Sequence, residues 1–360
     1  MKLESAKMYM KKKILKIVFW IIGIIVGLIV LLLLSIWIFS GNIPEGGTKI
    51  AKKGWVKIGG IKQGYFIRGE DEKNPVILFL HGGPGSPELA IIKNTKLEKY
   101  FTVCYWEQRG AGMTFSPDTD PETLTTSQLV EDTRQITDSL CNWYGVDKIY
   151  LMGHSWGSYL GIKTIEKYPK LYYAYIGIGQ ICHQLESERL AYDYLISEAY
   201  KAKDMETVKD FAAYDKNSSD FPSNEYLLKV RTTAMNKYGV GATHKNISMC
   251  DFAADLLYYR GYTLGEKLNY LKGVMLSLNK FPEMTEDNLF QTSTKFEIPV
   301  YIIQGKYDYQ VSYELARKYL DSINAPKKMF FTFKESAHSP NIEEPERFVE
   351  VVRSIANASI

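Results

Sequence analysis

Residues Ile17 to Phe39 read IVFWIIGIIVGLIVLLLLSIWIF, 23 positions without a charge. In a hydrocarbon environment such a stretch must be helical, because a helix pairs its backbone N–H and C=O groups within the segment. At 1.5 Å per residue it reaches about 34 Å, enough to cross a hydrocarbon layer of roughly 30 Å. It has no polar face, which argues against a helix packed by one stripe onto a soluble core. Trp20 and Trp37 lie near its ends, where indole rings favour the membrane interface. Residues 1–16 hold six lysines (Lys2, Lys7, Lys11, Lys12, Lys13 and Lys16) against one acid, Glu4. That bias predicts a cytoplasmic N-terminus and a C-terminal body on the outer face. A cleaved signal peptide is the competing reading, with an apolar core of about 7–15 residues and a small-x-small cleavage site. This run is longer, and SIWIFSGN matches such a site poorly, so the expectation is an uncleaved single-pass anchor.

The rest of the chain must therefore fold separately. With 360 residues, 46% of them hydrophobic, it can build one sizeable core with an insertion, or two smaller domains. Beyond residue 16 there are 38 basic and 40 acidic side chains. A nearly neutral body gives no support to nucleic-acid binding. Four cysteines (Cys104, Cys141, Cys182 and Cys250) are too few and too scattered for a disulfide framework. Cys182 adjoins His183, but no further ligand stands nearby to suggest a metal site. Cys104 and Cys141 sit in apolar patterns and read as buried thiols.

The pattern divides the chain into a basic tail (1–16), the anchor (17–39), a polar linker (40–53), a first core segment (54–179), a helical cap (180–293) and a second core segment (294–360). WVKIGGIKQGYFIRG reads as antiparallel strands around glycine turns. PVILFL, FTVCYW, DKIYLM and YAYIGI are short apolar runs ending at turns, as buried strands do. Residues 124–143 have helical periodicity, with Thr126 or Ser127 as the N-cap. The segment WGSYLGIKTIEKYP reads as a helix stopped by Pro169. Strand–helix alternation resumes at IPVYIIQGKYD. Such alternation implies a mostly parallel sheet covered on both faces by helices, an α/β class chain.

Gly153-His154-Ser155-Trp156-Gly157 fits G-x-S-x-G with a strand before it and a helix after it, the context in which that motif presents a nucleophilic serine. A serine hydroxyl needs a base to take its proton. Of the five histidines, His338 in the loop FKESAHSP is placed after a late strand, and is the candidate. His154 should point away from its neighbour. His81 lies in the first glycine loop, and His183 and His244 fall in the insertion. A third group should orient the imidazole, and Asp308 in IIQGKYDYQVS follows another buried strand. Asp321 competes with it but falls inside a predicted helix. The developing oxyanion needs two donors, expected from the backbone N–H of Trp156 and of Gly83 in HGGPG.

The order Ser155, Asp308, His338 is that of α/β-hydrolases. HGGPG at 81–85, EQRGAGMT at 107–114, GHSWGS at 153–158, GKYD at 305–308 and AHSP at 337–340 together resemble the proline iminopeptidase family of that fold. The resemblance covers about residues 50–360. It implies an eight-stranded hydrolase sheet with a helical cap, no metal or organic cofactor, and release of an N-terminal residue, often proline, from small peptides. One departure is Glu107 in Glu107-Gln108-Arg109-Gly110, where family members commonly have Asp; Glu107 and Arg109 are expected to brace the loop. The family reads the substrate's free amine with acidic cap residues. Here the candidates are Glu186 and Glu188, which differ by about 200° around a helix, so at most one faces inward. The tyrosines of DLLYYRGYT are candidates for an apolar pocket, and Arg260 for a substrate carboxylate.

These residues point to a membrane-anchored serine hydrolase acting on short peptides as an aminopeptidase. An esterase or lipase-like enzyme acting on small esters or acyl lipids would use the same triad. An inward cap carboxylate favours the first and an all-apolar cleft the second. Epoxide hydrolases and haloalkane dehalogenases place Asp where this chain has Ser155. A catalytically silent binding module would be expected to lack part of the triad.

Overall fold

A computed structural model describes residues 2–38, 40–41, 49–92, 96–245, 249–277 and 280–358. Met1, Phe39 and residues 42–48 of the stretch read as a linker lie outside the described residues, as do the side chains of Lys2, Glu4, Lys7 and Cys250. The chain begins with the long helix α1 (Lys2–Ile38), whose stretch Met8–Ile38 is apolar and long enough to cross a membrane by length and composition. The first strands are β1 (Ile50–Ile58) and β2 (Ile61–Gly69). β1 starts inside the stretch read as linker, because Lys52 and Lys53 interrupt the apolar alternation that marks a strand. There follow β3 (Val76–Leu80), β4 (Thr102–Trp106), α2 (Thr126–Tyr144), β5 (Ile149–His154), α3 (Trp156–Lys167) and β6 (Tyr172–Ile178).

Between β6 and β7 the described residues form helices and turns. These are α4 (Gln184–Lys201), α5 (Met205–Ala212), a π-helical turn (Tyr226–Arg231) running into α6 (Thr232–Tyr238), α7 (Met249–Tyr258), α8 (Leu264–Ser277), and the single turns α9 (Glu283–Glu286) and α10 (Leu289–Thr292). The chain returns through β7 (Val300–Gly305), α11 (Tyr313–Ser322), β8 (Lys328–Phe333), α12 (Pro340–Glu343) and α13 (Pro345–Asn357).

The eight strands form one mixed sheet in the order β1-β2-β4-β3-β5-β6-β7-β8. β1, β2 and β4 pair antiparallel, and every pairing from β4 through β3 to β8 is parallel. β3 shows why its sequence is apolar throughout. Val76, Leu78 and Leu80 enter the core on one face of the sheet, while Ile77 and Phe79 enter the core on the other. A strand buried on both faces has no position for a polar side chain. The insertion carries its own cluster, in which Ala191, Leu195, Phe211, Tyr226 and Met235 are buried. α2 is capped one residue earlier than the sequence pattern predicts: Thr125 Oγ1 accepts the Gln128 N–H at 3.2 Å. Three adjacent hydroxyl residues made the cap ambiguous, and the chain direction entering the helix selects the first. The helix ends on Gly145 at φ +63°, a left-handed stop that suits glycine.

Two glycines set the spacing of the central layer. A Cβ on Gly153 would stand 2.1 Å from the Gly157 carbonyl oxygen, and one on Gly157 would stand 2.1 Å from the Leu80 carbonyl oxygen. Both obstacles are backbone, so neither can swing aside. Gly157→Ala is expected to destabilise the fold by about 3 kcal/mol or more, the upper end of overpacking costs, measured as a shift in the urea midpoint.

Candidate active site

Ser155 joins β5 to α3 at φ +54° and ψ −120°. For a residue with a Cβ that conformation costs on the order of 1–3 kcal/mol, so the surroundings must hold it. The Ser155 N–H donates to Ile178 O at 2.9 Å, tying the turn to the end of β6. Trp156 opens α3, so its N–H has no carbonyl one turn earlier to bond. The Trp156 indole is fully buried and donates to Gln108 Oε1 at 2.9 Å.

The HGGPG loop leaves β3 beside this turn. A Cβ on Gly82 would lie 3.2 Å from the Ser155 Cβ, so the loop and the serine are in contact. Gly83 sits at φ +112° and precedes a cis proline. His81 Nδ1–H donates to Gly82 O at 2.9 Å, and its Nε2 accepts the Gln108 N–H at 3.2 Å. Those partners fix a neutral tautomer, and burial pushes the His81 pKa down to about 4. Gln108 Nε2 also donates to His81 O at 3.1 Å. Gln108 therefore clamps both expected oxyanion donors' neighbourhoods, a role the sequence reading did not give it. Its flanking residues brace the loop as expected. Glu107 accepts the Met113 N–H at 2.5 Å and the Tyr262 hydroxyl. Burial lifts the Glu107 pKa to about 7 against those hydrogen bonds. Arg109 pairs with Asp132 at 2.8 Å and donates to Gly59 O at 2.7 Å.

His338 and Asp308 meet. His338 Nδ1–H donates to Asp308 Oδ2 at 2.9 Å, and both side chains are almost fully buried. The same oxygen accepts Gln304 Nε2 at 2.7 Å, and Oδ1 accepts the Val311 N–H at 2.9 Å. With Nδ1 donating, His338 Nε2 carries the lone pair, and it has no hydrogen-bond partner among the described residues. A Cβ on Gly179 would stand 2.7 Å from His338 Cε1. Gly179 follows Ile178, the residue that holds the Ser155 N–H, so serine and imidazole converge on the end of β6.

Behind Ser155 lies a buried pair that the sequence reading missed. Glu88 Oε1 accepts the Gly82 N–H at 2.7 Å and meets His154 Nδ1 at 2.8 Å. His154 Nε2 reaches the His338 carbonyl at 2.9 Å, and the two imidazole rings lie 4.8 Å apart. His154 thus points away from the Ser155 hydroxyl and links the HGGPG loop to the His338 loop. A carbonyl only accepts, so His154 donates from Nε2 and shares a second proton with Glu88. Burial lowers the His154 pKa, but the Glu88 carboxylate overrides it and the net shift is upward. Burial likewise raises Glu88, and His154 overrides it downward. Only the proximity of Glu88 to HGGPG in sequence hinted at this.

The insertion residues are placed as follows. Glu186 is half-buried and lies 3.6 Å from Arg189. Glu188, on the other side of α4, is 3% exposed. Its Oε1 accepts Arg231 Nη1 at 2.7 Å and Gln184 Nε2 at 3.0 Å, while Oε2 has no partner among the described residues. Burial raises the Glu188 pKa against the pull of Arg231. Gln184 also donates to Gln310 O at 2.9 Å, and Ser187 Oγ accepts the Ser312 N–H at 3.2 Å, so this end of α4 sits on the Asp308 loop. Arg260 is exposed at the α7–α8 turn, where its carbonyl accepts the Gly41 N–H at 2.8 Å. Of the tyrosines, Tyr262 is buried on Glu107 and Tyr258 is exposed. Among the described residues no group of three His, Cys, Asp or Glu side chains is placed to hold a metal ion.

A mixed sheet with a strained serine after β5, a glycine loop after β3, and an Asp–His pair after β7 and β8 defines a hydrolase scaffold. The chain belongs to the α/β hydrolase fold family, whose model matches residues 75–345. Within it the chain is of the proline iminopeptidase type. It is 33% identical to the probable aminopeptidase YbaC of Bacillus subtilis over 315 residues, covering 86% of this chain and 97% of that protein. It is 24% identical to a proline iminopeptidase of Saccharolobus solfataricus, over 86% and 93% of the two chains. The crystal structure of the Mycobacterium smegmatis proline iminopeptidase superposes with a TM-score of 0.63 at 18% identity, over 86% of this chain and 98% of that one. At that identity the superposition speaks for the fold alone.

The Glu88–His154 pair has a pH signature. His154 is held above its ordinary 6.5, so its contribution is complete below that pH and fades as pH rises through the raised value. Glu88 is held below its ordinary 4.5, so its contribution is complete above that pH and fades on acidification. Glu88→Gln should therefore destabilise by about 3 kcal/mol near pH 5.5, and by less at pH 9, read as urea midpoints at both pH values.

Proposed function

We propose that this chain is a serine aminopeptidase, tethered to a membrane by α1, that releases N-terminal residues from short peptides. The observation that carries the reading is the convergence of Ser155 and His338 on one strand end, with His338 held by Asp308 and its Nε2 left open. In this reaction Ser155 Oγ attacks the substrate carbonyl as His338 Nε2 takes its proton. Asp308 keeps the proton on Nδ1 and stabilises the imidazolium that forms. The N–H groups of Trp156 and Gly83 receive the oxyanion, and each such donor contributes about 3–4 kcal/mol to lowering the barrier. His338 then returns its proton to the leaving amine, and water releases the acyl group from Ser155.

The free amine of the substrate falls to Glu188 rather than to Glu186. Glu188 is the buried one, sits above the Asp308 loop, and has one carboxylate oxygen without a partner among the described residues. Arg231 neutralises it only in part, leaving that oxygen for an ammonium group. A helical cap over 180–293 would bound the length of peptide that fits. Hydrolysis of small esters is the second reading, and the same Ser155 would serve it.

Ser155→Ala should lower kcat on a proline anilide by roughly 10⁵-fold or more. Glu188→Gln should lower kcat/KM by about 10–100-fold for the free-amine anilide, the loss of one charged hydrogen bond, and leave a short nitrophenyl ester nearly unchanged. Equal losses on both substrates would remove Glu188 from amine recognition. Turnover of the ester alone would replace the aminopeptidase with an esterase. With the lysines of residues 2–16 read as cytoplasmic, the body lies on the outer face, so protease added to intact cells should remove it; protection until lysis would overturn that orientation.

A further inference from the structure

The apolar outer face of α8 is not accounted for by the chemistry above. Leu268, Leu271 and Met275 are 53%, 54% and 70% exposed, and Leu264 beside them is half-buried. At 100° per residue these four positions fall within about 60° of the helix surface. An exposed stripe of this kind on a helix needs an explanation, whereas scattered apolar residues do not. The opposite face of α8 is committed to the catalytic loops. Tyr270 Oη and Ser86 Oγ lie 2.7 Å apart, and a Cβ on Gly85 would stand 2.4 Å from Ser277 Oγ. A Cβ on Gly273 would stand 2.5 Å from the Gly110 carbonyl.

The neighbour that identifies what covers the stripe is α1. Its last turn is not free of the body: Ile36 is 4% exposed, in contrast to the span before it. A cavity at this junction is lined by Ser35, Ile36, Ser40, Leu257, Tyr258 and Lys267. Lys267 Nζ donates to Ser40 Oγ at 2.9 Å, and the Gly41 N–H donates to Arg260 O. Lys267 therefore touches the exit of the apolar span itself. Leu268 and Leu271 lie one and four residues further along α8, which is at most about 6 Å along its axis. Around the helix, Leu271 is about 40° and Leu268 about 100° from Lys267. If Ser35 and Ile36 lie at the edge of the hydrocarbon, these leucines stand within reach of the headgroup layer, where amphipathic helices bury their apolar faces about 5–10 Å deep. Tyr258, 63% exposed on α7, presents an aromatic ring at the same level.

We propose that the outer face of α8, formed by Leu264, Leu268, Leu271 and Met275, is a lipid contact that seats the body on the bilayer beside its own anchor. This rests on the reading of α1 as a membrane span. The bilayer covers one side of α8 while the HGGPG loop packs on the other. The body is then oriented by two attachments instead of swinging on one, and the cap helix nearest the oxyanion loop lies along the membrane surface.

The test uses the full chain in vesicles of phosphatidylcholine and phosphatidylglycerol, with Cys141 and Cys250 changed to Ser. Leu268→Cys, Leu271→Cys, Leu228→Cys and Val26→Cys are each labelled with a polarity-sensitive fluorophore and quenched by brominated lipid or by aqueous iodide. Circular dichroism checks that each variant is folded, and all four side chains lie on the protein surface, outside its packed core. Val26 reports the anchor, and Leu228, 60% exposed elsewhere on the insertion, reports water. The expected result is quenching of labels 26, 268 and 271 by brominated lipid, with iodide quenching at 268 and 271 severalfold weaker than at 228. Lipid quenching at 26 with iodide quenching at 268 and 271 equal to that at 228 would overturn the lipid contact and leave the anchor standing. An aqueous label at 26 would remove both. Shielding of 268 and 271 that grows with protein-to-lipid ratio, without quenching by brominated lipid, would assign the face to a second copy of the chain and overturn the proposal.

Discussion

The contact between two backbones at Gly157 and Leu80 governs the rest of the site. With no Cβ on Gly157, α3 starts directly against the end of β3, and the turn that bears Ser155 is pressed onto the HGGPG loop. Ser155 holds its positive φ within that turn. Its cost of about 1–3 kcal/mol is offset by what β5 and α3 bury once they are this close. Trp156, Tyr159, Leu160 and Ile162 are all at most 2% exposed, and each buried side chain of that size contributes roughly 1.5–3 kcal/mol.

Charge is distributed around this turn with little access to water. Arg109 with Asp132 and Glu88 with His154 are buried pairs, and Glu188 is buried against a half-buried Arg231. Such pairs contribute little net stability over apolar replacements, yet losing one partner is costly. Their value here is geometric. Arg109 fixes the loop that carries Gln108, Gln108 spans His81 and Trp156, and Glu88 spans Gly82 and His154. Gln108 and Glu88 thereby tie down the HGGPG loop, which is mostly glycine and has few side chains of its own to pack.

The insertion and α1 meet on the far side of this arrangement. α8 has one face on the HGGPG loop and one face outward beside the exit of the apolar helix. α4 leans on the Asp308 loop through Gln184 and Ser187. Two different helices of the insertion thus bear on two different segments, the HGGPG loop and the Asp308 loop. Changes in the insertion can therefore reach the chemistry without touching the triad candidates.

Much of this was legible in the residues because it depends on local order. An uncharged run of 23 positions admits a long helix, and five-residue apolar strands admit burial on both faces. A serine between two glycines at a strand–helix junction fixes a tight turn whatever surrounds it. Asp308 and His338 could be singled out because each follows a strand, and parallel strands bring their carboxyl ends to one edge, where the two side chains pair. Contacts across the sequence decided the rest. Glu88 and His154 are 66 positions apart, and Glu188 and Arg231 are 43 apart, with no periodicity connecting either pair. The start of β1, the choice of Thr125 as cap and the bracing role of Gln108 were also set by what the folded chain brought alongside. A sequence carries the spacing of residues along one helix or strand, because that spacing is a repeat. The partner of a buried charge is chosen by the packing of distant segments, and only the tertiary structure holds it.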